Sequence, residues 1–294
     1  MKTARLHTTG IRDDRGGGRR RRGRWGGLAR GLAGAALVWP LLATGVVHAA
    51  GGASPATDAT AGAIPTQGLV ARYLFNGDVA DSSGHGHHGV NHNAYPTSNR
   101  SGAGSSAYSF NGTDAYVEVA DHNDFSVATT GQLSISVWMR PGTLTFPDAE
   151  ATGYVHWLGK GAPEQREWTF RMYSADNTEG RANRTSFYLF NLEGGEGAGS
   201  YVQEPVAAGA WSHYVAVVDT RTDTIKWYKN GQLKDQDPFL SSQYHITPQN
   251  GTSPMRIGTR DFASYFRGAI DNLYVYNRAL SAAEVGQLYR DTTP

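Results

Sequence analysis

An all-β sandwich of two antiparallel sheets, with one short C-terminal helix, is the fold this sequence predicts. Three observations carry the prediction. From Gly68 to about residue 276, short runs of alternating apolar and polar residues follow one another, and no helical period of useful length interrupts them. Glycine supplies 37 of the 294 residues, nearly twice the usual ~7%, and it gathers between those runs, where turns are needed. Many short strands without intervening helices close into two packed layers, not into a parallel sheet flanked by helices.

The elements follow in chain order. Residues 1–49 hold ten Lys/Arg against two acids. The basic run 19–24 precedes an apolar stretch that exits at Val47-His48-Ala49. Basic region, apolar region and small-residue exit are the parts of a secretory signal, with cleavage after Ala49. Pro40 and the interspersed glycines weaken the same stretch as a membrane-spanning helix. The expected product is therefore secreted and extracellular, without membrane contact after cleavage. Residues 50–67 are rich in Ala, Gly, Thr, Ser and Pro and read as a flexible spacer. One domain over 68–290 and a tail at 291–294 complete the division.

Strand patterns fall at 70–75, 116–119, 133–139, 154–158, 168–173, 185–192, 213–218, 225–228 and 270–276. In the clearest, Leu133, Ile135, Val137 and Met139 share one face and Ser134, Ser136 and Trp138 the other. Asn230-Gly231 between two such runs is a two-residue hairpin signal, since both turn positions need positive φ. Ser281-Ala-Ala-Glu284 is a capping box that opens a helix running to about Arg290.

Composition excludes several function classes. Cysteine is absent, which removes disulfides, thiolate metal sites and cysteine nucleophiles together. Beyond residue 49 the chain holds 17 basic and 24 acidic residues, a net charge of −7. A negative body lacks the basic face that nucleic acid requires. No Gly-x-Ser-x-Gly elbow or phosphate-binding glycine loop is present.

Several segments together resemble the laminin-G-like jelly-roll domain of the concanavalin A-like lectin/glucanase superfamily. They are Leu69-Val-Ala-Arg-Tyr-Leu-Phe-Asn-Gly-Asp78 with Asp81-Ser-Ser-Gly84, and Tyr108-Ser-Phe-Asn-Gly-Thr-Asp-Ala-Tyr-Val-Glu-Val119, and the run 133–139. Trp211-Ser-His-Tyr-Val-Ala-Val217, Trp227-Tyr-Lys-Asn-Gly231 and the closing stretch 267–281 follow in order. The resemblance spans about 68–290. It implies two curved sheets, often a structural calcium, and frequently carbohydrate or protein binding. It does not fix activity, because the superfamily holds lectins, glycosidases, lyases and adhesion modules.

Five constellations are candidates. The turn carrying Asn76, Asp78 and Asp81 offers the oxygen types that calcium takes. Asp271 shares strand parity with Leu273 and Val275, so one alternation aims its carboxylate inward, although Ile270, Tyr274 and Tyr276 could equally form the core face. The resemblance implies that such an opening-turn aspartate and a closing-strand aspartate share the calcium. Second, His85-Gly-His87-His88 with His92 offers alternating imidazoles that could bind a transition metal, but in a glycine-rich turn without cysteine it reads as a solvated loop. Third, the Glu-x-Asp-x-x-Glu pattern of the glucanase branch is absent, and Gln243-Tyr-His245 lies in a loop and is not counted as a lyase motif. Fourth, the block 166–204 alternates so that Trp168, Phe170 and Met172 face the core while Arg171 and Tyr173 face outward. Arg171, Tyr188, Asn191, Tyr201, Gln203 and Glu204 form a candidate ligand patch, since aromatic faces stack on sugar rings and planar groups bond hydroxyls. The stretch 194–199 at its edge reads as a mobile glycine loop. Fifth, Arg260–Arg267 carries three aromatics that begin the last strand. The reading favoured is a secreted, monomeric, calcium-stabilised module for extracellular polysaccharide or glycan. A polysaccharide hydrolase or lyase with a non-standard site and a protein-binding adhesion domain remain open beside it.

Overall fold

The computed structural model of the chain describes residues 64–146, 149–151 and 153–292. The expected secretory signal and most of the spacer lie outside the described residues. The first strands are β1 (Leu69–Tyr73), β2 (Gly89–His92), β3 (Tyr95–Thr97), β4 (Ala107–Asn111) and β5 (Tyr116–Val119). A short helix, α1 (Val127–Thr130), leads into β6 (Gln132–Pro141), β7 (Tyr154–Lys160), β8 (Trp168–Tyr173), β9 (Arg184–Asn191) and β10 (Gly194–Gln203). Then come β11 (Ser212–Asp219), β12 (Thr224–Lys229), β13 (Gln232–Asp237), β14 (Met255–Ile257), β15 (Arg267–Tyr276) and the helix α2 (Ala282–Thr292).

The expected sandwich forms. One sheet of eight strands runs β13-β12-β11-β6-β15-β4-β3, with β1 also paired to β15. The other, of seven, runs β10-β9-β8-β7-β14-β5-β2. Every strand pairing is antiparallel. Between the layers, Leu133, Ile135, Val137 and Met139 of β6 meet Trp157, Trp168, Phe170, Met172 and Phe187 from the opposite sheet, all buried. Each such side chain contributes roughly 1.5–3 kcal/mol on burial. Alternation thus fixes which residues each strand turns outward.

The outer face of the eight-stranded sheet is covered. Val215, Val217, Tyr228, Tyr274 and Tyr276 pack there against Leu280, Val285 and Leu288 of the C-terminal segment. Ser281 and Glu284 form the anticipated capping box: the Ser281 amide donates to Glu284 Oε2 at 2.8 Å and the Glu284 amide to Ser281 Oγ at 3.3 Å. The helix continues past Arg290 into the expected tail, because Trp138 Nε1 donates to Thr292 Oγ1 at 2.8 Å and ties down the last turn. Ile64, placed by sequence in the spacer, packs against the same cluster.

Two strand readings are corrected. The stretch 194–199 is not a mobile loop but the first half of β10, paired along β9. Asp271 does not share a face with Leu273 and Val275. Register shifts between Asp271 and Tyr274, where Asn272 has φ 45°, and this bulge turns Asp271 to the outer face. There it is buried and ion-paired with Arg100.

Candidate functional site

The open face belongs to the seven-stranded sheet. Because Trp168, Phe170 and Met172 point inward on β8, Arg171 and Tyr173 point out. On β9, Phe187 and Leu189 point inward and Tyr188 and Phe190 out. Register then builds a row across the sheet: His156 of β7 pairs with Arg171, Arg171 with Ser186, and Ser186 with Tyr201 of β10. Gly199 sits opposite Tyr188, and Gly197 lies in the bulge just before the Ala198–Leu189 pair. A Cβ at Gly197 would fall 2.7 Å from the Leu189 carbonyl and from the Phe190 ring, and one at Gly199 would collide with the Phe187 carbonyl and press within 2.7 Å of the Tyr188 ring. The two glycines therefore let the rings of Tyr188 and Phe190 lie over β10.

The result is a groove of about 510 Å³ floored by β8, β9 and β10 and walled by loops that bring Ala151, Arg181 and Tyr244. Its chemistry is tyrosine and guanidinium. The Arg171 guanidinium carbon lies 4.0 Å from the Tyr154 ring centre and 4.7 Å from that of Tyr188, and Nη1 donates to Tyr173 Oη at 3.3 Å. Arg184 stacks 3.9 Å over Tyr201 and donates to Gln203 Oε1 at 3.0 Å through Nη2. Arg181 pairs with Glu179 at 3.2 Å. Among the described residues, Arg171 and Arg184 have no carboxylate partner, and Arg171 Nε is buried without a hydrogen bond. Burial acts to raise the Tyr173 phenol, but the Arg171 charge and the hydrogen bonds from Arg171 and Arg181 outweigh it, so its pKa lies below the ordinary value. Burial and the neighbouring Tyr173 push Tyr188 up to about 12.

Beside Arg171 lies a buried polar group. His156 Nδ1 is 2.8 Å from Thr169 Oγ1, and its Nε2 is 3.2 Å from Glu150 Oε1. Burial, reinforced by the Arg260 charge, lowers the imidazole to about 4 and keeps it neutral. For Glu150 burial acts upward, but the His156 contact and the Ser264 hydrogen bond at 2.7 Å more than offset it and hold the carboxyl at about 2.

Of the predicted ligand patch, Arg171, Tyr188 and Tyr201 line the groove. Gln203 stands at its margin, donating to the Gly180 carbonyl at 2.8 Å. Asn191 and Glu204 are elsewhere: Asn191 Oδ1 accepts from the Thr247 amide at 2.9 Å, and Glu204 pairs with Lys229 at 3.1 Å and Lys234 at 2.8 Å. Sequence reasoning missed Tyr154, Arg181, Arg184, Phe190 and Tyr244. Phe190 and Tyr154 carry the alternation signal, whereas Arg181 and Tyr244 come from loops that carry none.

The four predicted calcium ligands do not assemble an oxygen cage. Both oxygens of Asp81 are taken by protein donors, namely the amides of Arg72, Ser83 and His87 and the Ser83 hydroxyl. Asp78 Oδ1 caps the Ala80 amide at 3.1 Å, Asn76 is exposed, and Asp271 is held by Arg100. A calcium ion would need these oxygens free to supply six to eight ligands. Donor atoms gather instead at the histidine turn, where ligating atoms of His85, His87 and Asp124 lie within 4.8 Å of one another. The aromatic stretch 260–267 gives Phe262 half-exposed, edge-on to Tyr116 at 5.1 Å and beneath Arg256.

The two antiparallel layers with the short C-terminal helix define a concanavalin A-like β-sandwich. The chain belongs to the laminin-G-like family of the concanavalin A-like lectin/glucanases superfamily, whose model matches residues 111–286. No curated protein sequence matches it. Among solved structures, domain 4 of AbnA, an extracellular GH43 arabinanase from Geobacillus stearothermophilus solved in complex with arabinotriose, aligns with TM-score 0.56 and 21% identity, over 75% of this chain and 98% of that one. The binding domain of botulinum neurotoxin DC in complex with SialylT aligns with TM-score 0.57 and 13% identity, over 76% of this chain and 51% of that one. The serotype G neurotoxin binding domain gives TM-score 0.59 at 16% identity, over 75% and 50% respectively. The chain thus spans about half the length of the neurotoxin domains.

Proposed function

We propose that this protein is a secreted carbohydrate-binding module whose groove over β8–β10 holds an acidic glycan, one bearing carboxylates such as a uronic acid polymer. One observation carries the reading: two guanidiniums, Arg171 and Arg184, lie on tyrosine rings in the groove, and among the described residues neither pairs with a carboxylate, although Glu179 and Glu196 also line it. A half-buried guanidinium without an acidic partner can meet a ligand carboxylate in bidentate contact. Tyr154, Tyr188 and Tyr201 offer faces against which the C–H side of a sugar packs. Solved neighbours bound to arabinotriose and SialylT support a saccharide occupant. Isothermal titration with uronate oligomers, matched neutral oligomers and arabinotriose tests it. The acidic series binds best, weakens as salt rises, and loses at least tenfold in Arg171→Gln. Neutral oligomers that bind the parent as tightly as the acidic series, or acidic binding unchanged in Arg171→Gln, would overturn the proposal.

A second reading has a specific observation behind it. Tyr173 Oη is contacted by the guanidiniums of Arg171 at 3.3 Å and Arg181 at 3.5 Å, and beside a uronate carboxylate neutralised by Arg171 it would take the α proton, the first step of β-elimination. Ultraviolet absorbance of an unsaturated uronate product, present in the parent and absent in Tyr173→Phe, would make the module a lyase.

A further inference from the structure

We infer that His85, His87 and Asp124 form a site for a divalent transition ion of the zinc class, separate from the saccharide groove. Their ligating atoms all fall within 4.8 Å of one another. His87 Nε2 and Asp124 Oδ2 stand 3.1 Å apart, close to the ~3.3 Å edge of a tetrahedron built on bonds of about 2.0–2.1 Å. Two imidazoles and one carboxylate match a zinc-type donor set, whereas calcium takes oxygens alone.

The surroundings hold these donors in place. The His87 backbone is fixed at both ends: its amide donates to Asp81 Oδ2 at 3.0 Å, and its carbonyl accepts from Tyr73 Oη at 2.6 Å. Asp81 also donates its amide to His88 Nδ1 at 3.2 Å, closing the turn. The aspartate assigned to calcium by sequence thus organises the histidine turn instead. The His87 ring lies edge-on to the buried Phe125 at 4.9 Å. Asp124 comes from a 3-10 turn capped by His122, whose Nδ1 accepts from the Asp124 amide at 3.2 Å. That ring packs 4.4 Å from His87. His85 stands exposed, stacked on His87 at 6.2 Å, and water completes the shell. Three protein ligands from segments 37 residues apart mean that the ion would staple the opening turn to the segment after β5.

The test uses the untagged chain, stripped with chelator and titrated with zinc, nickel or calcium chloride by calorimetry and thermal melting. One zinc per chain raises the melting temperature and calcium does not, because an ion bound only by the native state stabilises it. Zinc affinity falls at least tenfold in His85→Ala, whose exposed ring makes no hydrogen bond, and again in Asp124→Asn, while uronate binding is unchanged in both. Zinc binding that survives the double variant overturns the site. So does stabilisation by calcium alone that is lost in Asp81→Asn, or the absence of any metal effect. Uronate binding and metal binding are read separately, so failure of one leaves the other standing.

Discussion

His156 and His213 are buried neutral imidazoles, lowered to about 4 and about 3, in both cases mainly by burial. His213 lies against Ser136 Oγ at 2.8 Å under the helix-covered face. Free histidine titrates near 6.5, so between there and pH 4 the unfolded chain binds protons that the native one refuses. Stability therefore falls as pH falls through that window, on the order of 3 kcal/mol from each histidine by pH 4. Asp271 acts oppositely: burial raises it to about 6 against the pull of Arg100, so its contribution is lost as pH rises through 6 and offsets part of the trend. Urea midpoints measured at pH 7 and 4.5 should show the loss, with a shallower slope in His213→Gln. A slope unchanged by that substitution would mean the ring is not refusing its proton. A different residue carries a larger cost. Lys160 is buried between Glu167, Asp121 at 2.7 Å and the Gly251 carbonyl at 3.1 Å. Lys160→Met leaves the Glu167 carboxylate buried without its cation and should lower unfolding free energy by about 3–5 kcal/mol.

At the scale of elements, β9 and β10 make the clearest case. Gly199→Ala sets a methyl group against the Phe187 carbonyl and the Tyr188 ring. It should cost about 1–3 kcal/mol in urea unfolding and weaken saccharide binding, since Tyr188 must move. Gly209→Ala, away from the groove and at φ 82° with open space around it, should show the backbone strain alone and leave binding intact. The strand β10 also shows where sequence reading stopped. Alternation located β5 and β8 to the residue and named Arg171, Tyr188 and Tyr201 as outward, because one buried face fixes parity. Asn230-Gly231 turned as expected, with φ of 51° and 74°. A glycine-rich stretch reads as a loop, however, and only the period-two spacing of Gly195, Gly197 and Gly199 hinted at a strand under aromatic rings. Parity also fails across a bulge, so alternation alone left both faces open for Asp271. Asp124 joined the histidines through tertiary folding, which no local pattern records.

Across the whole molecule, the two sheets differ in what covers them. The helix α2 and its apolar cluster close one outer face, leaving the tyrosine–arginine groove on the other. Leu288→Ala should destabilise by about 2–5 kcal/mol through the cavity it leaves. Saccharide affinity of the protein that remains folded should not change, because the helix lies behind the opposite layer. A parallel loss of affinity in calorimetry would show that the two faces are coupled through the core. The distribution of aromatic side chains has a further consequence. Of the tryptophans among the described residues, Trp157, Trp168 and Trp227 lie between the layers, Trp138 is held by Thr292, and Trp211 stands beside Arg140, so the groove is lined by tyrosines and Phe190 with no indole. Indole fluorescence should stay silent when a saccharide docks, and the tyrosine band of near-ultraviolet circular dichroism is the intrinsic signal that follows occupancy.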